Sequence, residues 1–419
     1  VFPTSSGTAA NALALSTMTP SFGNIYCHKL SHINVDECGA PEFYTGGAKL
    51  VTLKGDDGKI TAEELNKSIS GKGIVHHTQP SSVSITQLCE TGEAYKLDPV
   101  TLNTLGSIDL ESQGARLMSA HCMTDESNGD LLFFDYAVKP PYMTYGVFNK
   151  DSQLVNFTPI ELPGARLPHS MAFTPNYSIL MDLPMFWDPE LLDKDIHKVS
   201  FYPEMQSRFG ILDRMASGDT IRWFDAEPCY IYHIINSWEE ENEVILDVCR
   251  MSSPVPSQEV RQKLSGPYGT MLAWLKLDAC YHRYRFNLET GETKEERKED
   301  LLSEFPVINN RYGGLPSRYS YHVTLADTDV ILFDALVKMD SLTGTSQKFK
   351  FPEGCFGSEM QFAPRHNSNA EDDGYLISFV TNIEPITDCS ASILFGNSLN
   401  WSFTILKLFS TELIYIKKN

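Results

Sequence analysis

The chain has 419 residues, of which 42% are hydrophobic and 21% charged, with a formal net charge of −20. That composition excludes wholesale disorder, and the acidic balance excludes nucleic-acid binding, which needs clustered Lys and Arg against phosphate. No apolar run reaches the roughly eighteen residues of a spanning helix, and nine cysteines without a CxxC pair fit no disulfide scaffold, pointing to reduced thiols in an intracellular compartment such as cytoplasm or plastid.

Residues 1–87 carry seven acids against six lysines, so they hold only −1 of the net charge. They are rich in Ala, Gly, Ser and Thr and alternate short helical and strand patterns. Ser5-Ser6-Gly7-Thr8 precedes AANALALSTM, a run of good helix formers. Such a loop offers backbone N–H groups and a positive dipole end suited to phosphate, although an ordinary N-cap is the commoner use. His28 and His32 stand four apart, the spacing of two ligands on one helical turn. The surrounding NIYCHKLSHINVDE reads as strand and loop, however, so structural roles are expected for both.

The segments SSGTAANALAL, NIYCHKLSHINVDECGAPEFYTGGAKL, DDGKITAEEL and HHTQPSSVSITQ together resemble the N-terminal part of threonine aldolases and related β-eliminating lyases. Those are pyridoxal-phosphate enzymes of the aminotransferase-like fold (fold type I). The resemblance implies an α/β fragment of that domain over residues 1–87. It places Gly7 and Thr8 at the phosphate loop and His32 as the imidazole stacked on the pyridine ring. The family's cofactor lysine and pyridinium-pairing aspartate have no counterpart after residue 88, so the covalent chemistry lacks its anchor. Neither pyridoxal phosphate nor lyase activity is expected.

From residue 88 the text becomes short strands: Leu131–Val138, Tyr177–Leu183, Tyr230–Asn236, Glu243–Cys249, Val330–Val337 and Tyr375–Thr381. Turn signals at Asn128-Gly129, Ser217-Gly218-Asp219, Thr290-Gly291 and Asp373-Gly374 punctuate them. Many short strands with regular turns predict a sandwich, barrel or propeller. His121 and His169 each precede an apolar strand, and His233 lies inside one. Taken singly, each reads as a core histidine satisfied by a carbonyl. Their spacings of 48 and 64 residues, however, are near one propeller blade each, roughly 40–50 residues, so imidazoles from successive blades can converge on the axis. Imidazole suits Fe, Zn or Cu. Asn400–Ile416 (NWSFTILKLFSTELIYI) is apolar with no turn chemistry and no clear period, and residues 390–419 are left as an unassigned tail.

LCETGEAYKLDPVTLNTLG, SAHCMTDESNGDLLFFDY, LPHSMAFTPNYSILMDLPMF, SRFGILDRM, IRWFDAEPCYIYHIINSWEE, EFPVINNRY and SEMQFAPRHNSNAEDDGYL, in that order, resemble the carotenoid cleavage oxygenases. The resemblance covers residues 88–389. It implies a seven-bladed β-propeller with one Fe(II) on its axis, three of whose four histidine ligands match His121, His169 and His233. Three glutamates that hold the far N–H groups of such histidines match Glu90, Glu304 and Glu359. The implied reaction inserts dioxygen across a double bond of an apolar polyene to give two carbonyl fragments. Leu183–Trp187 (LPMFW) reads either as an apolar loop touching membrane or as a buried turn.

The resemblance also has gaps. The aldolase-like text stands where the family's first blade strands would be, and residues 390–419 contain no histidine to serve as the fourth ligand. The expected fold is therefore mainly β, an incomplete propeller preceded by an α/β fragment. The expected function is an Fe(II) dioxygenase impaired by those gaps, the alternatives being an inactive chimeric or truncated product and a pyridoxal-phosphate lyase.

Overall fold

AANALALSTM folds as predicted, within helix α1 (Gly7–Met18), and GNIYCH forms strand β1 (Gly23–His28), buried along its whole length. After β1 come α2 (His32–Val35), α3 (Ala40–Tyr44), β2 (Lys49–Leu53), α4 (Ala62–Ser68) and β3 (Gln79–Val83). The three strands form a parallel sheet in the order β2-β1-β3. A central parallel strand is covered on both faces, which is why every position of β1 is buried, Asn24 and His28 included. Ile25 and Cys27 pack with Leu15 of α1, Ile33 and Ala48. Thr61 caps α4 by accepting the Glu64 N–H at 3.1 Å, the first half of a capping box. One expectation needs correcting: the loop after His28 contains the single-turn helix α2, too short to show a period, closed by Asn34 and Val35 N–H groups on the Ser31 carbonyl.

The computed structural model describes residues 7–35, 37–55, 60–85, 91–92, 95–97, 104–108, 110, 117–192, 194, 199–255, 277–328, 331–382, 401–408 and 413–417. The chain divides into two units, Val1–Ile108 and Asp109–Asn419. Beyond the parallel sheet the first unit holds the short strands β4 (Thr91–Gly92), β5 (Tyr95–Leu97) and β6 (Thr104–Ser107), with β5 and β6 antiparallel.

The second unit is a succession of antiparallel meanders. After β7 (Met118–Ser119), strands β8 (Met123–Asp125), β9 (Asp130–Tyr136), β10 (Met143–Phe148) and β11 (Leu154–Ile160) form a four-stranded sheet. Next come β12 (Ala172–Phe173), β13 (Tyr177–Asp182), the hairpin β14 (Met185–Trp187) and β15 (Val199–Phe201), then β16 (Ser207–Asp213) and β17 (Arg222–Ala226). Of these, β12, β13, β16 and β17 form the second four-stranded sheet, in that order. Strands β18 (Tyr230–Glu240), β19 (Glu243–Met251), β20 (Cys280–Asn287) and β21 (Thr293–Val307) follow as a meander. The end of β21 pairs with β22 (Tyr319–Leu325), which continues to β23 (Phe333–Asp340) and β24 (Thr345–Lys350). Strands β25 (Cys355–Pro364), β26 (Gly374–Asn382), β27 (Trp401–Leu408) and β28 (Leu413–Lys417) complete the chain of pairings. Repeated four-stranded antiparallel units are the pattern of propeller blades.

Each predicted strand has a counterpart among the described residues, and at two of the ends that differ a buried polar contact accompanies the extension. β18 runs past Asn236 because Ser237 and Trp238 are buried, the Ser237 hydroxyl donating to the Phe173 carbonyl at 2.6 Å. β23 runs to Asp340 because Lys338, also buried, donates to Asp372 at 2.6 Å. The Asn128-Gly129 turn joins β8 to β9, with Gly129 at φ +83°, a conformation a side chain resists. Of the two readings of Leu183–Trp187, burial agrees with the second, although the segment is the strand β14 and its entry and not a turn: Leu183, Met185 and Phe186 are buried and β14 pairs with β15. The tail is corrected too: Trp401–Leu408 and Leu413–Lys417 form a hairpin added to β26. Strands with apolar residues at successive positions give no alternation to read.

The first two meanders are tied by Arg214, which follows β16. Its Nη1 donates to Asp125 Oδ2 at 2.7 Å and its Nη2 to Asp130 Oδ2 at 3.2 Å, with Arg214 and Asp125 nearly excluded from water. Tyr145 of β10 and Ser178 of β13 share a buried hydroxyl–hydroxyl bond of 2.7 Å.

In β22, His322 is fully buried beside Ser320 (2.9 Å), Ser303 (3.3 Å) and the Cys249 thiol (3.7 Å). Burial disfavours its charged form and lowers its pKa to about 3. The unfolded chain takes up this proton near pH 6.5, the folded chain near 3, so stability falls as pH drops through that window. At pH 5 this one group costs about 2 kcal/mol relative to pH 7. Urea denaturation of wild type and His322→Asn at both pH values checks this: the variant should lose that part of the pH dependence, and an unchanged dependence would contradict the assignment.

Candidate metal centre

His121, His169 and His233 arrive from three different places. His121 follows β7, with its backbone N–H donating to the Ser119 hydroxyl at 3.2 Å. His169 lies in an irregular segment that ends at β12, and His233 lies in β18. Their ring centres are 4.2 Å (His121–His169), 5.6 Å (His121–His233) and 5.3 Å (His169–His233) apart, with planes inclined at 43°, 67° and 88°. One ring nitrogen from each lies within 4.8 Å of those of the other two. The three imidazoles read from the sequence therefore meet at one point.

Local backbone irregularity aims two of the groups. The β18–β19 register shifts between Ile231 and Ile234 and again before Asn236, so His233 sits at a bulge. The β21–β22 register shifts between Glu304 and Val307, and Phe305 adopts φ +49° there. Bulges re-aim side chains and are common beside functional sites. A left-handed conformation costs a phenylalanine about 1–2 kcal/mol. It is offset by what it achieves: the Phe305 N–H donates to Glu304 Oε2 at 2.7 Å, and the Phe305 ring stands 4.6 Å from that of His233.

Glu304, wholly buried, accepts from His233 Nδ1 at 2.7 Å through that same oxygen. With Nδ1 donating, His233 keeps the lone pair on Nε2. The Tyr232 ring stands edge-on to His169, 4.9 Å away at 86°. The site is thus half-buried, flanked by aromatic rings, with one imidazole held in a fixed tautomer. Of the other glutamates, Glu359 is solvent-exposed on β25, and none of the described hydrogen bonds joins its carboxylate to a histidine of the cluster. Glu90 lies outside the described residues. Tyr232 and Phe305 were not singled out in the sequence, although each directly adjoins a residue that was.

The remaining expected residues lie in the first unit. Gly7 opens α1 and Thr8 follows it, half-buried. His32 opens α2, about half-exposed, with Nδ1 3.1 Å from Glu37 Oε1, and Asn11 of α1 donates to that same oxygen at 2.7 Å. The buried Glu37, not identified from the sequence, therefore links α1 to His32. His28 ends β1, buried, and its Nε2 is 3.1 Å from the Gly55 carbonyl, so the two histidines share no helical turn.

Fold and site together define a propeller-like β protein built around a cluster of three imidazoles. The family described as retinal pigment epithelial membrane protein matches residues 64–395, and the chain belongs to this carotenoid cleavage oxygenase family. A second family, beta-eliminating lyase, matches residues 1–118, and the boundary expected at 87/88 lies in the overlap of the two matches. The chain is 32% identical over 343 residues to carotenoid 9,10(9′,10′)-cleavage dioxygenase 1 of Pisum sativum, covering 77% of this chain and 61% of that protein. It is 35% identical over 300 residues to the Arabidopsis thaliana protein of the same name, covering 68% of this chain and 54% of that one. It therefore spans little more than half the length of these relatives. In fold it resembles Pseudomonas brassicacearum lignostilbene dioxygenase, with a TM-score of 0.62 and 22% identity over 75% of this chain and 66% of that one. No helix among the described residues is long and apolar enough to cross a membrane.

Proposed function

We propose that the chain carries the centre of a non-haem Fe(II) dioxygenase that cleaves a carbon–carbon double bond of a carotenoid or apocarotenoid, on an axis that would be that of a seven-bladed propeller. The reaction takes R–CH=CH–R′ and O2 to R–CHO and R′–CHO, both oxygen atoms of dioxygen ending in the carbonyls. The supporting observation is the convergence of His121, His169 and His233, with donor nitrogens within 4.8 Å of one another. That spread is of the order needed for metal–imidazole bonds of about 2.1 Å. The donor set suits iron but does not select it over zinc or copper; the resemblance to the family supports iron.

Bound iron(II) would supply the electrons that let triplet dioxygen react with a closed-shell polyene. His121, His169 and His233 would hold it through neutral nitrogens, adding no negative charge. Glu304 keeps the His233 proton on Nδ1 and so keeps Nε2 available. Tyr232 and Phe305 narrow the approach of water to the imidazoles and offer apolar edges to a polyene. Thiols without a disulfide framework favour an intracellular setting, cytoplasm or plastid. A second reading, an impaired centre, draws on the exposed position of Glu359.

Incubating iron-loaded protein with a carotenoid under 18O2 tests the function. Bleaching of the polyene and two labelled carbonyl products are expected; no turnover at one iron per chain would favour the impaired reading. Glu304→Ala should lower iron affinity about 10–100-fold, read by anaerobic competition with a chelator. An affinity within twofold of wild type would contradict the role given to Glu304.

A further inference from the structure

The segment carrying His169 has little regular structure to hold it. Residues 161–171 form no strand, and β12, which follows, has two residues, pairing with β13 through Ala172 and Phe173. β12 is the edge of its sheet, and β18, which carries His233, is the edge of the next. No backbone ladder joins the two edges, yet the imidazoles of His169 and His233 must be held 5.3 Å apart at 88°.

Two hydroxyls of β18 bridge that gap. Tyr230 Oη donates to the Leu167 carbonyl at 2.7 Å, two residues before His169. Ser237 Oγ donates to the Phe173 carbonyl at 2.6 Å, four residues after it. Tyr230, Ser237 and Phe173 are all buried, where a hydrogen bond is fully exchanged for lost hydration and its loss leaves a carbonyl unsatisfied. Phe173 is further confined by Gly314, at φ +77°, where a Cβ would lie 2.9 Å from the Phe173 ring. That glycine belongs to a loop that Asn236 of β18 holds, donating to the Tyr312 and Leu315 carbonyls at 3.0 and 2.8 Å and accepting the Gly314 N–H at 3.1 Å.

We infer that Tyr230 and Ser237 are positioning residues: their hydroxyls staple both ends of the His169 segment to the His233 strand and so set the spacing of the two imidazoles. The inference rests on the metal-binding reading above. Neither residue touches a reacting atom; each acts through the backbone that carries His169.

The test uses Co(II) added to the full chain without other metal, reading affinity by titration and ligand field by the visible absorption band. Tyr230→Phe, which keeps the ring and removes the hydroxyl, should weaken Co(II) binding about tenfold and shift the band. Ser237→Ala should do the same, and Ser237→Thr, which restores a hydroxyl, should recover wild-type values. Should Tyr230→Phe not fold, the two Ser237 variants carry the test. Lower thermal stability with wild-type Co(II) affinity and spectrum in the variants would show a merely structural role and overturn the inference. If wild-type Co(II) binding persists in His233→Ala, the metal-binding reading falls and this inference with it. If binding requires His233 but ignores both hydroxyls, only the positioning role falls.

Discussion

Replacing His233 with alanine removes stoichiometric iron binding and any carotenoid cleavage, with a loss of iron affinity beyond the roughly 100-fold upper range for removing a residue that merely orients a ligand. The reason is geometric. His233 stands at a bulge in β18, 5.6 Å from His121 and 5.3 Å from His169 by ring centres, and it is the imidazole whose tautomer a buried carboxylate fixes. Its deletion leaves two nitrogen donors and a buried Glu304 whose partner is gone. Iron content after desalting is the primary measurement, with circular dichroism and thermal unfolding of the metal-free protein confirming that the fold persists. Iron occupancy equal to wild type would show that the ligand assignment is wrong.

The largest stability effect is expected at Arg214. Its guanidinium pairs with Asp125 and Asp130, which flank the β8–β9 turn, and its Nη1 also reaches the Thr174 and Pro175 carbonyls of its own meander at 3.5 and 3.3 Å. Burial alone would raise the Asp125 pKa, but hydrogen bonds from Ser127 and Arg214 outweigh it and hold the carboxyl below its usual range. Arg214→Ala leaves that charge buried and unpaired and should cost about 3–5 kcal/mol. Denaturant midpoints measure it. The same substitution in an Asp125→Asn background should cost clearly less, because the stranded charge is then absent. A loss below about 1 kcal/mol in the wild-type background, the range of exposed pairs, would contradict the buried-clamp description.

The parts of this structure legible in the sequence are those set by short-range pattern. Tyr177–Asp182 and Glu243–Met251 were readable because an apolar run with β-branched residues has few other uses. His121, His169 and His233 were readable because each stands at or near an apolar strand, spaced 48 and 64 residues apart, in text that resembles a known family. What was not legible depends on residues distant in sequence. The bulges at His233 and Glu304 are register choices between partner strands, and the left-handed Phe305 pairs with a carboxylate that is useful only because His233, 71 residues away, lies against it. The hydroxyls of Tyr230 and Ser237 carry no local signal, since their acceptors are carbonyls 63 and 64 residues earlier. Leu183–Trp187 shows the converse: in an apolar string that a local reading also allows as a membrane contact, Leu183 and Met185 join the core cluster and Phe186 stacks on Tyr202.

The most direct measurement is X-ray absorption at the iron edge on the iron-loaded full chain, compared with His121→Ala, His169→Ala and His233→Ala. One iron per chain with imidazole scattering from three histidines is expected, with one imidazole fewer around whatever iron His121→Ala and His169→Ala retain, and no stoichiometric iron in His233→Ala. Iron without imidazole scattering, or imidazole scattering unchanged by all three substitutions, would contradict a metal centre at this cluster.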